Sequence, residues 1–215
     1  VPDIAIVEPE TLLTNSAFLT ATTGLDVLTH GIEAYVSIAA TPLSDVHARN
    51  AIRLVANNLR QSVASKLNRK VKENMAMASL QAGLAFSNAI LGAVHAMSHA
   101  IGGRFLLPHG DVNAILLPYV MEFNYVAIPE KFVEIAKLLG VDEQSVTILN
   151  AGEKAVEHVQ ALSRQIGAPQ RLSELHLTEK DAAIVSEFAL KDACIITNPR
   201  DISKEDIESL FMKAL

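Results

Sequence analysis

The chain has 215 residues, half of them hydrophobic and a fifth charged, which is the composition of a folded protein with a sizeable core and not of a disordered chain. Its net charge of −6 argues against a surface that binds nucleic-acid phosphates. The single cysteine, Cys194, cannot close a disulfide within the chain and favours a reducing compartment. Residues 1–10 lack a basic leader followed by a long apolar run, so we expect a cytoplasmic location.

The first residues have the composition of a short β-strand. The run from Asp3 to Val7 is rich in Ile and Val, and Pro9 ends it. A single strand without a partner strand cannot form a sheet. We therefore expect residues 1–10 to be a connection from an earlier part of a longer protein, and residues 11–215 to form one domain.

Helical patterns account for the rest of the chain, because Ala and Leu are plentiful and β-branched alternation is scarce. Apolar spacing and capping residues predict about nine helices in one all-α bundle. The first predicted helix covers residues 24–38 and is capped by Thr22 or Thr23, and the second is capped by Ser44. The other predicted helical segments are two that meet near 91–92 within 74–103, one over 111–123 with a kink at Pro118, and those over 130–139, 150–166, 178–189 and 203–215.

The segment 74–103 contains no Asp, Glu, Lys or Arg and is long enough to span a bilayer. Eight Asn, Gln, Ser and His side chains within it would be costly in lipid, and Gly92 interrupts the run. We interpret it as two buried helices and expect no membrane partner. Residues 66–72 are basic and polar, and we expect them to be a solvated connection or the exposed start of a helix.

Four of the seven histidines lie in or near apolar sequence without charged residues, and they are His30, His95, His99 and His109. Asp26 and His30 are four residues apart, which places both side chains on one face of a helix, a turn apart. His95 and His99 repeat that spacing, and His109 follows ten residues later in a predicted turn. A lone buried histidine is most simply a satisfied core residue, and Asp26 with His30 is most simply a hydrogen bond within a helix.

The histidines and Asp26 together favour a metal site. Several buried ionisable groups without partners each cost several kcal/mol, and one divalent ion would satisfy them all. Imidazoles with one carboxylate suit Fe(II), Zn(II), Ni(II) or Co(II) better than Ca(II) or Mg(II). No second motif competes, because the chain has no Cys-x-x-Cys pair, nucleophile elbow, phosphate-binding loop or Gly-x-Gly turn.

Three segments resemble signatures of the iron-containing (group III) alcohol dehydrogenases. They are Thr22 to Tyr35, His95 to Pro118 and Lys191 to Arg200. The resemblance implies the helical metal-binding domain of such an enzyme, with residues 1–10 a β-like remnant of the connection from an absent α/β domain that binds NAD(P). It implies an enzyme that interconverts a small primary alcohol or diol and its aldehyde by metal-assisted hydride transfer, and this chain alone is expected to be inactive.

The resemblance also assigns the residues. It implies that Asp26, His30, His95 and His109 are the metal ligands, for Fe(II) with Zn(II) as the alternative. It implies that His99 is not a ligand but a catalytic residue beside the nicotinamide and the substrate. Members of this family often form dimers or larger assemblies, so we expect a homo-oligomer.

Two other functions remain open at this point. The lack of a phosphate-binding turn is compatible with a truncated, non-catalytic metal-binding or interaction module. A helical metal hydrolase also fits histidine and aspartate ligands in an all-α domain.

Overall fold

The computed structural model describes residues 3–215, and over this range the chain forms nine α-helices and no β-strand. This confirms the all-α bundle expected from the sequence. The helices are α1 (Ala17–Val36), α2 (Pro42–Ala64), α3 (Arg69–Ala89), α4 (Ala93–Phe105), α5 (His109–Asn124), α6 (Pro129–Leu138), α7 (Ala151–Gln165), α8 (Ala182–Ala189) and α9 (Lys204–Ala214).

The start of the chain differs from its β-like composition. Residues 4–8 form no regular element and are exposed, and a 3-10 helix follows over Pro9–Thr14. Val1 and Pro2 lie outside the described residues. The exposed Ile4 and Ile6 have no neighbouring strand to bond to, so composition alone does not make this run a strand. The division of the chain at residue 10 stays a prediction.

Two predicted helix starts are wrong, for reasons of capping chemistry. α1 begins seven residues before the predicted start, because the Ser16 side chain accepts a hydrogen bond from the Leu19 N–H. Thr23 lies inside that helix, where its hydroxyl bonds back to the Leu19 carbonyl. α2 is capped by Thr41, and Ser44 is the third residue of a reciprocal capping box.

The apolar segment 74–103 divides at residues 90–92, as predicted, but its two helices are buried to different extents. Most residues of α4 are buried, whereas α3 exposes Met77, Leu80 and Leu84. Within residues 3–215 no single helix has the length and apolar character needed to cross a bilayer. α3 and α4 meet that test only as a pair, and they are bent by 99° at their break.

Residues 66–70 of the basic stretch are exposed, as expected, whereas Val71 is buried and so is Lys72. The Lys72 side chain is 1% exposed, and its ammonium donates to the carbonyl and the hydroxyl oxygen of Ser62. These bonds tie α3 to the last turn of α2.

α1 is the central element of the core. It packs against α2, α3 and α5 through buried side chains that include Leu25, Leu28 and Ile32. Gly24 permits the close approach of α2, because a Cβ there would lie 2.2 Å from Leu59 Cδ1. α5 continues through Pro118 to Asn124 and packs against α1, α4 and α7. The start of α5 therefore lies beside the middle of α1 and the first turns of α4.

Candidate metal centre

The four predicted ligands come from three helices and meet at one point. Asp26 and His30 lie a turn apart on α1, His95 is in the first turn of α4, and His109 is the first residue of α5. One donor atom of each lies within 4.8 Å of the donor atoms of the other three. Asp26 Oδ1 is 3.7 Å from Nε2 of both His95 and His109, and 3.8 Å from Nδ1 of His30.

These separations are close to those around a divalent ion. A tetrahedral ion with bonds of about 2.0–2.2 Å holds its ligand atoms about 3.3–3.6 Å apart. The three distances from Asp26 Oδ1 therefore need to shrink by only a few tenths of an ångström. His95 is 1% exposed, and the side chains of Asp26 and His30 are about one-fifth exposed, so the site is sheltered but open on one side.

Polar partners orient two of the imidazoles toward this point. Nδ1 of His95 lies 2.6 Å from Glu33 Oε2, and Nδ1 of His109 lies 3.0 Å from Ser98 Oγ. The Glu33 carboxylate accepts, so it places the proton of His95 on Nδ1 and leaves Nε2 as a free lone pair. A carboxylate behind a histidine is a recurring partner of metal-ligating imidazoles.

The amide of Asn113 lies among the ligand atoms. Its Nδ2 is 2.6 Å from Asp26 Oδ1, 2.9 Å from His109 Nε2 and 3.2 Å from His95 Nε2. Its buried Oδ1 has no hydrogen-bond partner. Three acceptors thus converge on one electropositive group, which supplies two hydrogens for three lone pairs. A cation at this point satisfies all three, so the residues present fit a metal ion.

Burial favours the neutral form of His30 and His109. Desolvation lowers the pKa of His30 to about 4, although Asp26 opposes the shift. Desolvation also lowers the pKa of His109. Both rings are held as neutral imidazoles at neutral pH, which is the form that binds metals.

His99 lies next to this group but outside it. Its side chain is 43% exposed, and its ring stacks on the His109 ring with centroids 5.4 Å apart. Its Nδ1 is 2.9 Å from Asp192 Oδ2, in the turn before the 3-10 helix Ala193–Thr197. The structure thus separates His99 from the four converging residues. The remaining histidines lie outside this group and are half-buried or exposed; they are His47, His158 and His176.

Four further residues complete this region, and none of them was predicted from the sequence. Glu33 follows Asp26 and His30 at positions i+7 and i+3, and Asn113 follows His109 at i+4, so helical spacing could have indicated both. Ser98 follows His95 at i+3. Asp192 has no such signal, because it lies 93 residues from His99 and the fold alone brings the two together.

The comparisons with known proteins identify the family of this chain. The model of the Fe-containing alcohol dehydrogenase family, C-terminal part, matches residues 20–215. The 1,3-propanediol dehydrogenase of Klebsiella pneumoniae is 47% identical over 213 residues, which are 99% of this chain and 55% of that relative. The lactaldehyde reductase of Escherichia coli K12 is 38% identical over 214 residues, all of this chain and 56% of that enzyme.

Solved structures show the same fold. The crystal structure of a 1,3-propanediol oxidoreductase matches with a TM-score of 0.98 and 46% identity, over all of this chain and 56% of that one. An alcohol dehydrogenase from Oenococcus oeni matches with a TM-score of 0.94 and 37% identity, over 96% of this chain and 54% of its own. This chain spans about half the length of the relatives it matches, and it belongs to the Fe-containing alcohol dehydrogenase family as its C-terminal, helical part.

Proposed function

We propose that this chain is the metal-binding half of an NAD(P)-dependent alcohol dehydrogenase that interconverts a small primary alcohol or diol and its aldehyde. The observation that carries the proposal is the convergence of one carboxylate and three imidazoles on a single point in a member of this family. Relatives of this chain include a 1,3-propanediol dehydrogenase, an NAD-dependent methanol dehydrogenase and a lactaldehyde reductase, which supports short alcohols and diols as the substrate class.

In this proposal Asp26, His30, His95 and His109 hold the ion, which is Fe(II), with Zn(II) as the alternative. The bound ion supplies Lewis-acid chemistry. The chain's own part is to hold three imidazoles and one carboxylate at fixed positions. Glu33 and Ser98 hold the rings of His95 and His109 with Nε2 facing the site.

His99 is the proposed proton relay of the reaction and the proposed neighbour of the nicotinamide. Its exposed ring lies beside the site, and the Asp192 carboxylate accepts its Nδ1–H at 2.9 Å. That bond leaves Nε2 free to take a proton from the substrate side and pass it to solvent.

The rest of the reaction belongs to the whole enzyme. The described residues hold no loop for a dinucleotide phosphate, and the relatives are almost twice as long as this chain. We propose that NAD(P) binds to the remainder of a longer protein, that the enzyme is a cytoplasmic homo-oligomer, and that this chain alone does not oxidise alcohols.

The metal content of this chain tests the proposed site. Purified without air and without chelator, the chain should retain about one tightly bound equivalent of iron or zinc, and His95→Ala should bind that ion too weakly to retain it. The matched control is His176→Asn, which removes an exposed imidazole far from the site at a left-handed position (φ 65°) that Asn tolerates. Equal metal in His95→Ala and the unmodified chain would overturn the ligand assignment.

A whole-enzyme assay separates the roles of the histidines. In the full-length enzyme, His95→Ala should lose both metal and alcohol oxidation, whereas His99→Ala should keep its metal and turn over more slowly. Loss of metal from His99→Ala would contradict its placement outside the ligand set.

A further inference from the structure

A second group of donor atoms lies beside the metal centre. One donor atom each of His99, Asp192 and Cys194 lies within 4.8 Å of the other two. His99 comes from α4, whereas Asp192 and Cys194 come from the turn before and the start of the 3-10 helix Ala193–Thr197. The group is half-exposed, so an ion can reach it from solvent.

The carboxylate in this group is already oriented. Asp192 Oδ1 accepts the Cys194 backbone N–H at 2.8 Å, and Oδ2 accepts from His99 Nδ1 at 2.9 Å. The neighbouring cation, Lys191, is turned to Glu187 at 2.7 Å and does not neutralise Asp192. Burial alone would raise the pKa of Asp192, but the hydrogen bonds from Cys194 and His99 outweigh it and hold that pKa below its usual value.

The three donor types select one class of ion. A thiolate, an imidazole and a carboxylate together are a common ligand set for zinc, and a thiolate disfavours Ca(II) and Mg(II). A tetrahedral ion holds its ligands about 3.3–3.6 Å apart, so the 2.9 Å bond between His99 and Asp192 must open by about half an ångström. The exposed side of His99 leaves room for a water as the fourth ligand.

We propose that His99, Asp192 and Cys194 form a second, weaker site for a zinc-type divalent ion, distinct from the site of Asp26, His30, His95 and His109. Binding releases the thiol proton of Cys194 to solvent and moves the ring proton of His99 from Nδ1 to Nε2, which frees the Nδ1 lone pair for the ion. Burial and Asp192 raise the pKa of that thiol to about 12, so the ion must displace a tightly held proton and binds less strongly than at a free thiolate.

Occupation of this site has a consequence for His99. If His99 is the proton relay of the proposed function, an ion on its imidazole removes that relay, and excess zinc inhibits the whole enzyme. That consequence depends on the proposed function, whereas the binding itself does not.

Cobalt(II) titration of the metal-free 215-residue chain tests the site, because cobalt replaces zinc and reports its ligands by absorption. We expect about two equivalents to bind. The weaker one should give a near-ultraviolet sulfur-to-cobalt band, since Cys194 is the chain's single thiol. Cys194→Ser should abolish this band and keep the visible bands of the first ion. His95→Ala should weaken the first ion and keep the sulfur band.

Two further variants distinguish binding by all three residues from binding by the Cys194 thiol alone. Asp192→Asn keeps a good helix cap, and His99→Ala lies on an exposed part of α4, so both are expected to fold like the unmodified chain by circular dichroism. Each should weaken the sulfur-band cobalt by at least about tenfold, the lower end of the effect of losing even an outer partner. Absence of the band in the unmodified chain, or its survival at full affinity in both variants, would overturn the proposal.

Discussion

Glu33 Oε2 lies 2.6 Å from His95 Nδ1, while Oε1 of the same carboxylate accepts the Val94 backbone N–H at 2.7 Å. Glu33 thus caps the N-terminus of α4, which has no side-chain cap of its own, because its N-cap residue is Gly92. The carboxylate is 2% exposed, and the partial positive charge of the helix end stabilises it. One side chain of α1 therefore both caps α4 and sets the tautomer of a proposed metal ligand.

Glu33→Gln should weaken metal binding by about 10–100-fold, the usual effect of losing an outer partner. If the amide keeps its oxygen on the Val94 N–H, its nitrogen faces His95 Nδ1. The ring must then carry its proton on Nε2, where it blocks the ligand position. Competition with a chromogenic chelator measures the affinity. The control is Glu122→Gln, which changes an exposed side chain paired with Lys213 and should bind metal normally. Equal metal affinity in Glu33→Gln and Glu122→Gln would refute the role of Glu33.

Asn113→Ala should destabilise the metal-free chain more than the metal-loaded chain. Without metal, the variant leaves three inward-facing acceptors without a donor, which costs about 1–3 kcal/mol of unfolding free energy. With metal bound, the ion satisfies those atoms. Thermal unfolding with and without added metal should therefore show a larger metal-induced rise in Tm for the variant.

A matched asparagine gives the control for that comparison. Asn58 is also buried and donates to the Leu54 carbonyl, but it lies away from the site. Asn58→Ala should lower the Tm equally in the two metal states. If Asn113→Ala behaves in the same way, its amide does not substitute for the ion.

Much of this site could be predicted from the sequence, because several of its residues are close to one another in the chain. Asp26 and His30 share a helix face at spacing i, i+4, and that spacing survives the seven-residue error in the start of α1. The family resemblance supplied the assignments of His95 and His109. The fold class followed from composition and apolar periodicity, whereas helix starts depended on which of several Ser and Thr residues forms the cap.

The parts that sequence could not provide are long-range contacts. Asp192 reaches His99 across 93 residues, and Asn198 reaches α4 and α5 from the same end of the chain. Lys72 is buried because α2 presents the carbonyl of Ser62 to it. No local sequence pattern predicts such contacts, because they form only when separate helices pack together.

The metal-free chain should lose stability as the pH falls from about 6.5 toward about 4. The pKa of His30 is about 4 in the folded chain against 6.5 for an ordinary histidine, so the unfolded chain binds more protons in this range. The single shift corresponds to a loss on the order of 2 kcal/mol by about pH 5. His109, whose pKa is also lowered, acts in the same direction.

Urea unfolding with chelator at about pH 7 and about pH 5 measures this loss. The groups that face His30 are Asp26, Glu33, His95 and His109, and the two carboxylates oppose the shift without cancelling it. His30→Gln should reduce the dependence on pH by about the stated amount. The control His176→Asn should leave it unchanged, and an unaltered pH dependence in His30→Gln would contradict the burial argument.

Gly92→Ala should disturb the site from outside the ligand set. A Cβ at this position would lie 2.9 Å from Glu33 Oε1 and 3.0 Å from Asn198 Oδ1, and both atoms are held by hydrogen bonds at the start of α4. The added methyl should cost about 1–3 kcal/mol of unfolding free energy. It should also displace Glu33 from His95 and lower the metal affinity.

Gly83→Ala is the matched substitution for that experiment. Gly83 lies inside α3, and a Cβ there meets nothing within 4 Å, so alanine should stabilise the chain by about 0.5–1 kcal/mol through its helix preference. Chemical unfolding and metal titration of the two variants give both quantities. A Cβ at position 92 meets the Glu33 carboxylate and a Cβ at position 83 does not, so only Gly92→Ala should bind metal more weakly. Normal metal affinity in Gly92→Ala would mean that the position of Glu33 does not control the site.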